Sequence, residues 1–161
     1  MMPSRPIRFF HRGELVSLTG SPPDRTVLEW LREDAGCHGT KEGCAEGDCG
    51  ACVVIVAALD PLVGVSPEQN RKRSDGLTLR TVNACLQLLP MLDGKAIYTI
   101  EDLSQACSPH KHSHSGLHPV QEAMVACHGS QCGFCTPGFV MSLTAMYEDH
   151  LEAGTQPGRR E

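Results

Sequence analysis

Three cysteines lie in one short segment, Cys44, Cys49 and Cys52, with the spacing C-x4-C-x2-C, and Cys85 is available as a distant fourth. Thiolates in this arrangement are the ligands of plant-type [2Fe–2S] clusters. Three thiolates from one loop must wrap around two irons, so the chain has to curl tightly there, while a fourth from elsewhere closes the site. The spacing therefore predicts a two-iron cluster at these four cysteines.

Glycines are dense in the same segment. They are Gly39, Gly43, Gly47 and Gly50. Glycine adopts backbone conformations that other residues avoid, so this composition is typical of a loop whose N–H groups turn inward toward the cluster sulfurs. The loop also lies between a predicted helix and a predicted strand, where a rigid scaffold can hold it.

The same residues allow two other interpretations. The pairs Cys49–Cys52 and Cys132–Cys135 can form a four-cysteine zinc site. Zinc leaves Cys44 without a role and explains neither the glycines nor the spacing, so we favour iron–sulfur. A dithiol redox switch is weaker still, because Cys49-Gly-Ala-Cys52 does not begin a helix, where thiolates are stabilised.

A second cysteine pair, Cys132 and Cys135, lies toward the C-terminal end. Cys127 repeats the C-x4-C-x2-C spacing numerically, but it is in helical register with Val120 and Met124, so we expect it to be a buried core thiol. A cluster needs four ligands, and this pair supplies two. The residues alone therefore predict an incomplete second site.

Composition narrows the class of protein. The chain has 161 residues, nine cysteines and a net charge of −5, with 40% apolar and 20% charged residues, which is a globular balance. An odd cysteine count and the lack of an apolar signal segment predict reduced thiols in a cytoplasmic protein. The longest apolar run, residues 51–59, is far shorter than the ~20 residues of a membrane helix. Neither a membrane nor a nucleic-acid partner is expected.

Residues 1–103 have the pattern of a small α+β domain. Five runs favour strands, at residues 7–11, 14–18, 51–59, 77–82 and 96–100. Thr26 and Glu29 form a capping-box pattern at the start of one helix, which should end near Gly36. Strands with a single helix predict a mixed sheet with the helix packed across it.

The remainder divides into three parts. Residues 104–117 are polar and contain proline and glycine, which predicts a linker. Residues 118–150 have helical periodicity, with Thr136 as an N-cap and Pro137 as the first helical residue. We expect residues 151–161 to be a frayed tail. The predicted buried stripe of the last helix consists of Phe139, Leu143, Met146 and Tyr147.

Three motifs resemble the iron–sulfur portion of the xanthine dehydrogenase family of molybdenum hydroxylases. They lie at residues 40–52, 82–85 and 118–142. The likeness covers about residues 7–150 and is similar to the N-terminal part of the small subunit of the bacterial two-subunit enzyme. It implies an α+β fold, with a β-grasp [2Fe–2S] ferredoxin-like domain followed by an all-α helical-bundle [2Fe–2S]-binding domain.

The resemblance also implies roles for individual residues. The ligands of the first cluster are then Cys44, Cys49, Cys52 and Cys85. Cys132 and Cys135 match two ligands of the second cluster, and Gln131 matches the glutamine that approaches the pterin of the molybdenum cofactor in the partner subunit. In the family, electrons pass from molybdenum, where the purine is hydroxylated, through the clusters to FAD and NAD⁺.

The family continues with two more helices, a Cys-x-Cys pair that completes the second cluster and a FAD domain, none of which follows His150 here. We therefore expect a truncated small subunit or a cut fragment, with one complete cluster, an incomplete second one and no activity as this chain alone. FAD and molybdopterin are expected on missing segments or on the molybdenum-binding large subunit. Apolar faces left uncovered would make residues 118–150 mobile or self-associating.

Two functions from other classes stay open at this point. One is a free-standing [2Fe–2S] ferredoxin-like electron carrier, although such a carrier has no need of Gln131 beside Cys132. The other is the structural four-cysteine zinc module. Both predict a different metal content or partner from an electron-transfer component of a molybdenum hydroxylase.

Overall fold

The computed structural model describes residues 5–59, 76–103 and 116–152. These residues form a mixed sheet of five strands in the order β2-β1-β5-β3-β4. The strands are β1 (Ile7–His11), β2 (Glu14–Leu18), β3 (Val53–Leu59), β4 (Leu77–Asn83) and β5 (Ala96–Tyr98). β1 and β5 are parallel, whereas the pairs β1–β2, β3–β4 and β3–β5 are antiparallel. All five predicted strands form.

Three α-helices and two short 3-10 helices accompany the sheet within the described ranges. They are α1 (Val27–Glu33), α2 (Pro119–Ala126), α3 (Thr136–Glu152) and the 3-10 segments Leu89–Leu92 and Ile100–Asp102. The predicted capping box at α1 is present: the N–H of Glu29 donates to Thr26 Oγ1 at 3.2 Å, and the N–H of Thr26 donates to Glu29 Oε2 at 2.7 Å. α3 begins at Thr136 itself, one residue before the predicted first position.

Strand β3 separates two apolar cores because its side chains alternate between the faces of the sheet. Val54 and Val56 belong to the core that contains α1. Ile55 belongs to the core that contains Val140 and Met141 of α3. The sheet is therefore packed between α1 on one face and the C-terminal helices on the other.

The buried face of α3 differs from the predicted stripe. Phe139 and Met146 are 54% and 49% exposed, and the buried apolar residues are Val140, Met141 and Ala145. Because the first turns of α3 carry apolar residues on several sides, periodicity does not indicate which side meets the sheet. The stripe prediction was wrong for Phe139 and Met146. One apolar face of residues 118–150 is covered by the sheet.

Cys127 is also placed differently from the prediction. It is exposed, and it is the C-cap of α2, where its N–H donates to the carbonyl of Ala123 at 2.9 Å. α2 ends one residue earlier, so the stripe that buries Val120 does not extend to this position. The expectation of a core thiol was wrong.

Several expectations fall outside the described residues. Most of the predicted linker, with Cys107 and the histidines at 110, 112 and 114, lies within 104–115, and most of the predicted tail lies beyond Glu152. Within the described ranges, no helix is long and apolar enough to cross a membrane.

A buried histidine lies at the end of β1. His11 is 7% exposed, and its ring packs edge-on against Trp30 with 5.3 Å between the ring centroids. Its Nε2 lies 3.8 Å from Sγ of Cys37, another buried residue. Such an environment offers little solvation for a charged imidazolium, so a proton on this ring is unfavourable.

We expect the free energy of unfolding to fall as the pH drops below about 6.5. Burial lowers the pKa of His11, Asp102 and Glu101 oppose that effect, and Arg12 adds to it. The unfolded chain then takes up a proton that the folded chain rejects, so stability is lost from about pH 6.5 down through the lowered folded-state pKa. Urea titrations between pH ~7.5 and ~5 should show a weaker pH dependence for His11→Phe.

The matched control for this measurement is His38→Phe, because His38 is exposed. Its unfolding free energy should keep the pH dependence of the wild type. If the unfolding free energy of His11→Phe changed with pH as steeply as that of the wild type, the acid sensitivity would not come from this ring.

Candidate metal centre

The loop that connects α1 to β3 takes its shape from residues with left-handed backbone. Gly47 and Gly50 have φ of 84° and 69°, and Ala45 has φ of 58°. Positive φ is costly for residues with a Cβ and easy for glycine. These turns curl the chain around Cys44 and Cys49, as the glycine content predicts.

Gly43 is required for a different reason: the loop has no room for a side chain at this position. A Cβ on Gly43 would lie 2.9 Å from Sγ of Cys49, too close for a carbon and a sulfur that are not bonded. The absence of a side chain lets the Cys49 thiol lie against the backbone of the loop. The loop therefore needs a small residue here even without a positive φ.

Backbone N–H groups of the loop point at the sulfur of Cys44. The N–H groups of Cys49, Asp48 and Glu46 donate to this sulfur at 3.4, 3.3 and 3.5 Å. Hydrogen bonds to a sulfur stabilise its anionic form. They lower the pKa of Cys44 to about 7, with the Cys49 N–H as the largest cause. The loop thus favours a thiolate at Cys44 near neutral pH.

Cys52 and Cys85 form a buried pair of thiols. Their Sγ atoms are 3.4 Å apart, and both residues are less than a tenth exposed. Two thiolates on one tetrahedral metal ion, with bonds of about 2.3 Å, lie ~3.7 Å apart, so the spacing suits a shared metal. Burial, followed by the Cys52 neighbour, raises the pKa of Cys85 to about 11. The metal-free site therefore favours the protonated Cys85 thiol, whereas a coordinated cation favours the thiolate and displaces the proton.

The sheet brings the sequence-distant Cys85 to this pair. Antiparallel pairing of β3 with β4 puts Val53 opposite Asn83, so the residues just outside these positions become neighbours. The N–H of Ala84 donates to the carbonyl of Cys52 at 3.2 Å. Asn83 Nδ2 donates to the carbonyl of Gly47 at 2.6 Å, which ties the end of β4 to the cysteine loop.

The four cysteines are thus arranged as two pairs. The N–H of Cys49 donates to Cys44 Sγ, and Cys85 lies against Cys52 at the end of β4, which Asn83 ties to Gly47 between Cys44 and Cys49. A [2Fe–2S] cluster with four cysteines takes two thiolates on each iron, so these residues fit such a cluster.

No three His, Cys, Asp or Glu side chains of the described residues are grouped as ligands of one metal ion. This holds for the alternative zinc set of Cys49 and Cys52 with Cys132 and Cys135, and equally for any three of Cys44, Cys49, Cys52 and Cys85, which are arranged as two pairs instead.

The second cysteine pair lies in the turn that precedes α3. Cys132 and Cys135 are exposed, and so is Gln131 between them and α2. Gly133, with φ of 83°, turns the chain between the two cysteines.

His118 links the start of α2 to α3. Its Nδ1 accepts a hydrogen bond from the N–H of Val120 at 3.2 Å, and its Nε2 lies 3.2 Å from Oε1 of Glu148.

Two residues next to the second pair contact the first loop, and sequence patterns did not single them out for this. The ring of Phe134 lies beside the backbone of Gly43, and Gly138 packs against the carbonyl group of Gly50. The sequence offered two signals for these contacts: a phenylalanine between two cysteines, and a glycine in the first turn of a helix. Neither signal indicates a contact with the first loop unless the tertiary structure is known.

Comparison with known proteins identifies the family. A model described as a 2Fe-2S iron-sulfur cluster binding domain matches residues 9–88, and one described as a [2Fe-2S] binding domain matches residues 99–159. Xanthine dehydrogenase of Drosophila pseudoobscura pseudoobscura is 40% identical over 153 residues, 95% of this chain. Aldehyde oxidase 1 of Macaca fascicularis is 37% identical over 144 residues, 89% of this chain. The chain consists of two [2Fe-2S]-binding domains and belongs to the same family as the iron–sulfur region of the xanthine dehydrogenases and aldehyde oxidases.

Solved structures of two other proteins share the fold. Aldehyde oxidoreductase from Desulfovibrio gigas superposes with a TM-score of 0.65 and 29% identity over 90% of this chain and 13% of that one. Quinoline 2-oxidoreductase from Pseudomonas putida 86 superposes with a TM-score of 0.62 at 23% identity, covering 97% of this chain and 83% of that one. The predicted α+β fold and family resemblance are confirmed.

This iron–sulfur chain is short beside its relatives. It spans about 10% of the length of the Drosophila xanthine dehydrogenase and 9% of the macaque aldehyde oxidase.

Proposed function

We propose that this chain is the electron-transfer iron–sulfur component of a xanthine-dehydrogenase-type molybdenum hydroxylase. The observation that carries the proposal is the arrangement of four cysteines in one folded unit: the N–H of Cys49 donates to Cys44 Sγ, and the Sγ atoms of Cys52 and Cys85 are 3.4 Å apart. These four residues hold the first [2Fe–2S] cluster. When bound, such a cluster accepts and releases single electrons.

The protein around the first cluster stabilises and shields it. The N–H groups directed at Cys44 lessen the cost of the negative charge on its sulfur. Cys52 and Cys85 lie in the core beside Ala84, where water has little access. Asn83 keeps the loop closed against the end of β4 through its bond to Gly47.

The exposed end of the C-terminal helices is the proposed side for partners. Cys132 and Cys135 contribute two ligands to a second cluster, and Gln131 reaches the pterin of a molybdenum cofactor bound by the large subunit. Exposure of all three residues supports this arrangement, since a partner can approach them. FAD lies on a further domain or subunit, and the assembly works in the cytoplasm.

We also propose the division of the chain that the sequence predicts. Residues 1–103 are the ferredoxin-like unit and residues 118–150 the partial helical unit. The contacts of α3 with β3 support a close association of the two units rather than independent tumbling.

Reconstitution of the purified chain with iron and sulfide tests the function. We expect visible absorption bands that bleach with dithionite, and about two irons and two sulfides per chain, because four thiols are paired for one cluster. Zinc binding without visible bands would contradict the proposal. Four irons in a monomer would show instead that Cys127 and Cys107 together supply the two missing ligands of a second cluster.

A further inference from the structure

The base of the first cysteine loop is closed by a main-chain hydrogen bond. The N–H of Lys41 donates to the carbonyl of Ala51 at 3.3 Å, so residues 41–51 form a closed loop that contains the first two predicted ligands. The two residues just before this closure are less exposed than most of the loop: Gly39 is partly buried and Thr40 is 2% exposed. The groups that hold these two residues therefore fix the point at which the loop begins.

Two side chains of opposite charge hold the peptide groups at this point. Glu101 Oε1 accepts a hydrogen bond from the N–H of Gly39 at 2.7 Å, and Arg32 Nη1 donates to the carbonyl of Thr40 at 3.0 Å. Both bonds are partly buried, and a hydrogen bond to a charged group is stronger than one between neutral groups. Arg32 comes from α1, whereas Glu101 comes from the 3-10 segment Ile100–Asp102. The base of the loop is thus tied to two separate elements.

The 3-10 segment that bears Glu101 is itself held firmly. The N–H of Thr99 donates to Asp102 Oδ2 at 2.6 Å, within a buried capping box. The neighbouring Ile100 packs against the apolar core that contains α3. A Cβ on Gly39 would overlap Cγ2 of Ile100 and lie 2.7 Å from Glu101 Oε1, so the segment lies directly against the Gly39 backbone. These contacts leave the Glu101 carboxylate in one place.

We propose that Glu101 is a positioning residue for the first cluster: its bond to Gly39 holds the base of the 41–51 loop and thereby slows the loss of the cluster. A loop that is already held in one arrangement loses less conformational entropy on binding than a loop with a loose base. The inference rests on the proposed function, because this loop is the proposed cluster site. It deepens that function by giving a residue of the second matched domain a role in the site of the first.

The experiment compares the full chain with Glu101→Ala, Glu101→Gln and Glu42→Ala. Glutamine removes the charge but keeps an oxygen that can accept the Gly39 N–H. Glu42 is the matched control, because it is an exposed carboxylate inside the loop itself. Hydrogen exchange of the Gly39 amide and of the amides of β3 is measured by NMR before iron is added. After reconstitution, the loss of visible absorption is followed in excess EDTA.

Glu101→Ala should raise the exchange rate of the Gly39 amide about tenfold, because a hydrogen bond to a charged acceptor is lost. The same variant should lose its visible absorption several-fold faster than the wild type, with the exchange of β3 unchanged. Glu101→Gln should restore most of both properties, and Glu42→Ala should match the wild type.

Equal Gly39 exchange in Glu101→Ala and the wild type would overturn the inference. An equally large rise throughout β3 would also overturn it, since the variant would then have lost stability in general. Cluster loss as fast in Glu101→Gln or Glu42→Ala as in Glu101→Ala would show that charge, rather than the bond to Gly39, controls retention. A wild type that takes up no iron refutes the proposed function, whereas the Gly39 exchange is measured without iron, so the two failures are distinguishable.

Discussion

Replacement of Cys85 by serine is expected to abolish the visible cluster of the reconstituted chain. Cys85 is the only one of the four paired cysteines that comes from outside the 44–52 loop, and its sulfur lies 3.4 Å from that of Cys52. Without it, one iron keeps a single thiolate, and the buried hydroxyl is a poor substitute for a soft sulfur ligand. Absorption spectra and iron analysis should show a loss of most of the bound iron.

The same loss is expected for serine at Cys44, Cys49 or Cys52. The matched control is Cys37→Ser, which changes a thiol that is 1% exposed. The Cys37 thiol has a pKa raised by burial and by Glu101, and it packs beside His11 rather than beside the paired cysteines. Cys37→Ser should retain the cluster. If Cys37→Ser lost the chromophore while Cys44→Ser kept it, the ligand assignment would be wrong.

Gly138→Ala should strongly destabilise the packing of α3 on the cysteine loop. The added Cβ overlaps the carbonyl oxygen of Gly50 and lies 3.1 Å from its carbonyl carbon. Backbone atoms cannot rotate away as a flexible side chain can, so the helix must shift. Overpacking of this kind costs about 1–3 kcal/mol, and we expect the upper end of that range. Urea unfolding and the thermal midpoint of the full chain measure this loss.

Gly129→Ala is the control for a glycine in the same segment. A Cβ at Gly129 lies 2.8 Å from the Sδ of Met124, which is the mobile end of a flexible side chain and can move aside. This variant should lose much less stability than Gly138→Ala. Similar losses in both variants would contradict the close backbone approach of α3 to Gly50.

Short-range patterns in the amino-acid sequence predict the local elements and the candidate ligands. The continuous apolar run of β3 with its β-branched residues, and the capping box of Thr26 and Glu29, act between neighbours in the chain, so the printed residues suffice to predict them. The spacing of Cys44, Cys49 and Cys52 is equally local. The family resemblance of these motifs was confirmed by the comparisons, whereas the ligand roles of the cysteines stay a prediction.

How these elements meet depends on packing between segments that are far apart in the chain. α3 has apolar residues on several sides, and the sheet buries Val140 and Met141 because they fit against Ile55, leaving Phe139 exposed. α2 ends before Cys127, which leaves that thiol at the surface. The contacts of Phe134 and Gly138 with the first loop join residues about 90 positions apart, and no local pattern predicts such a contact. Packing selects among several locally acceptable faces, and that choice depends on the shape of the opposing surface.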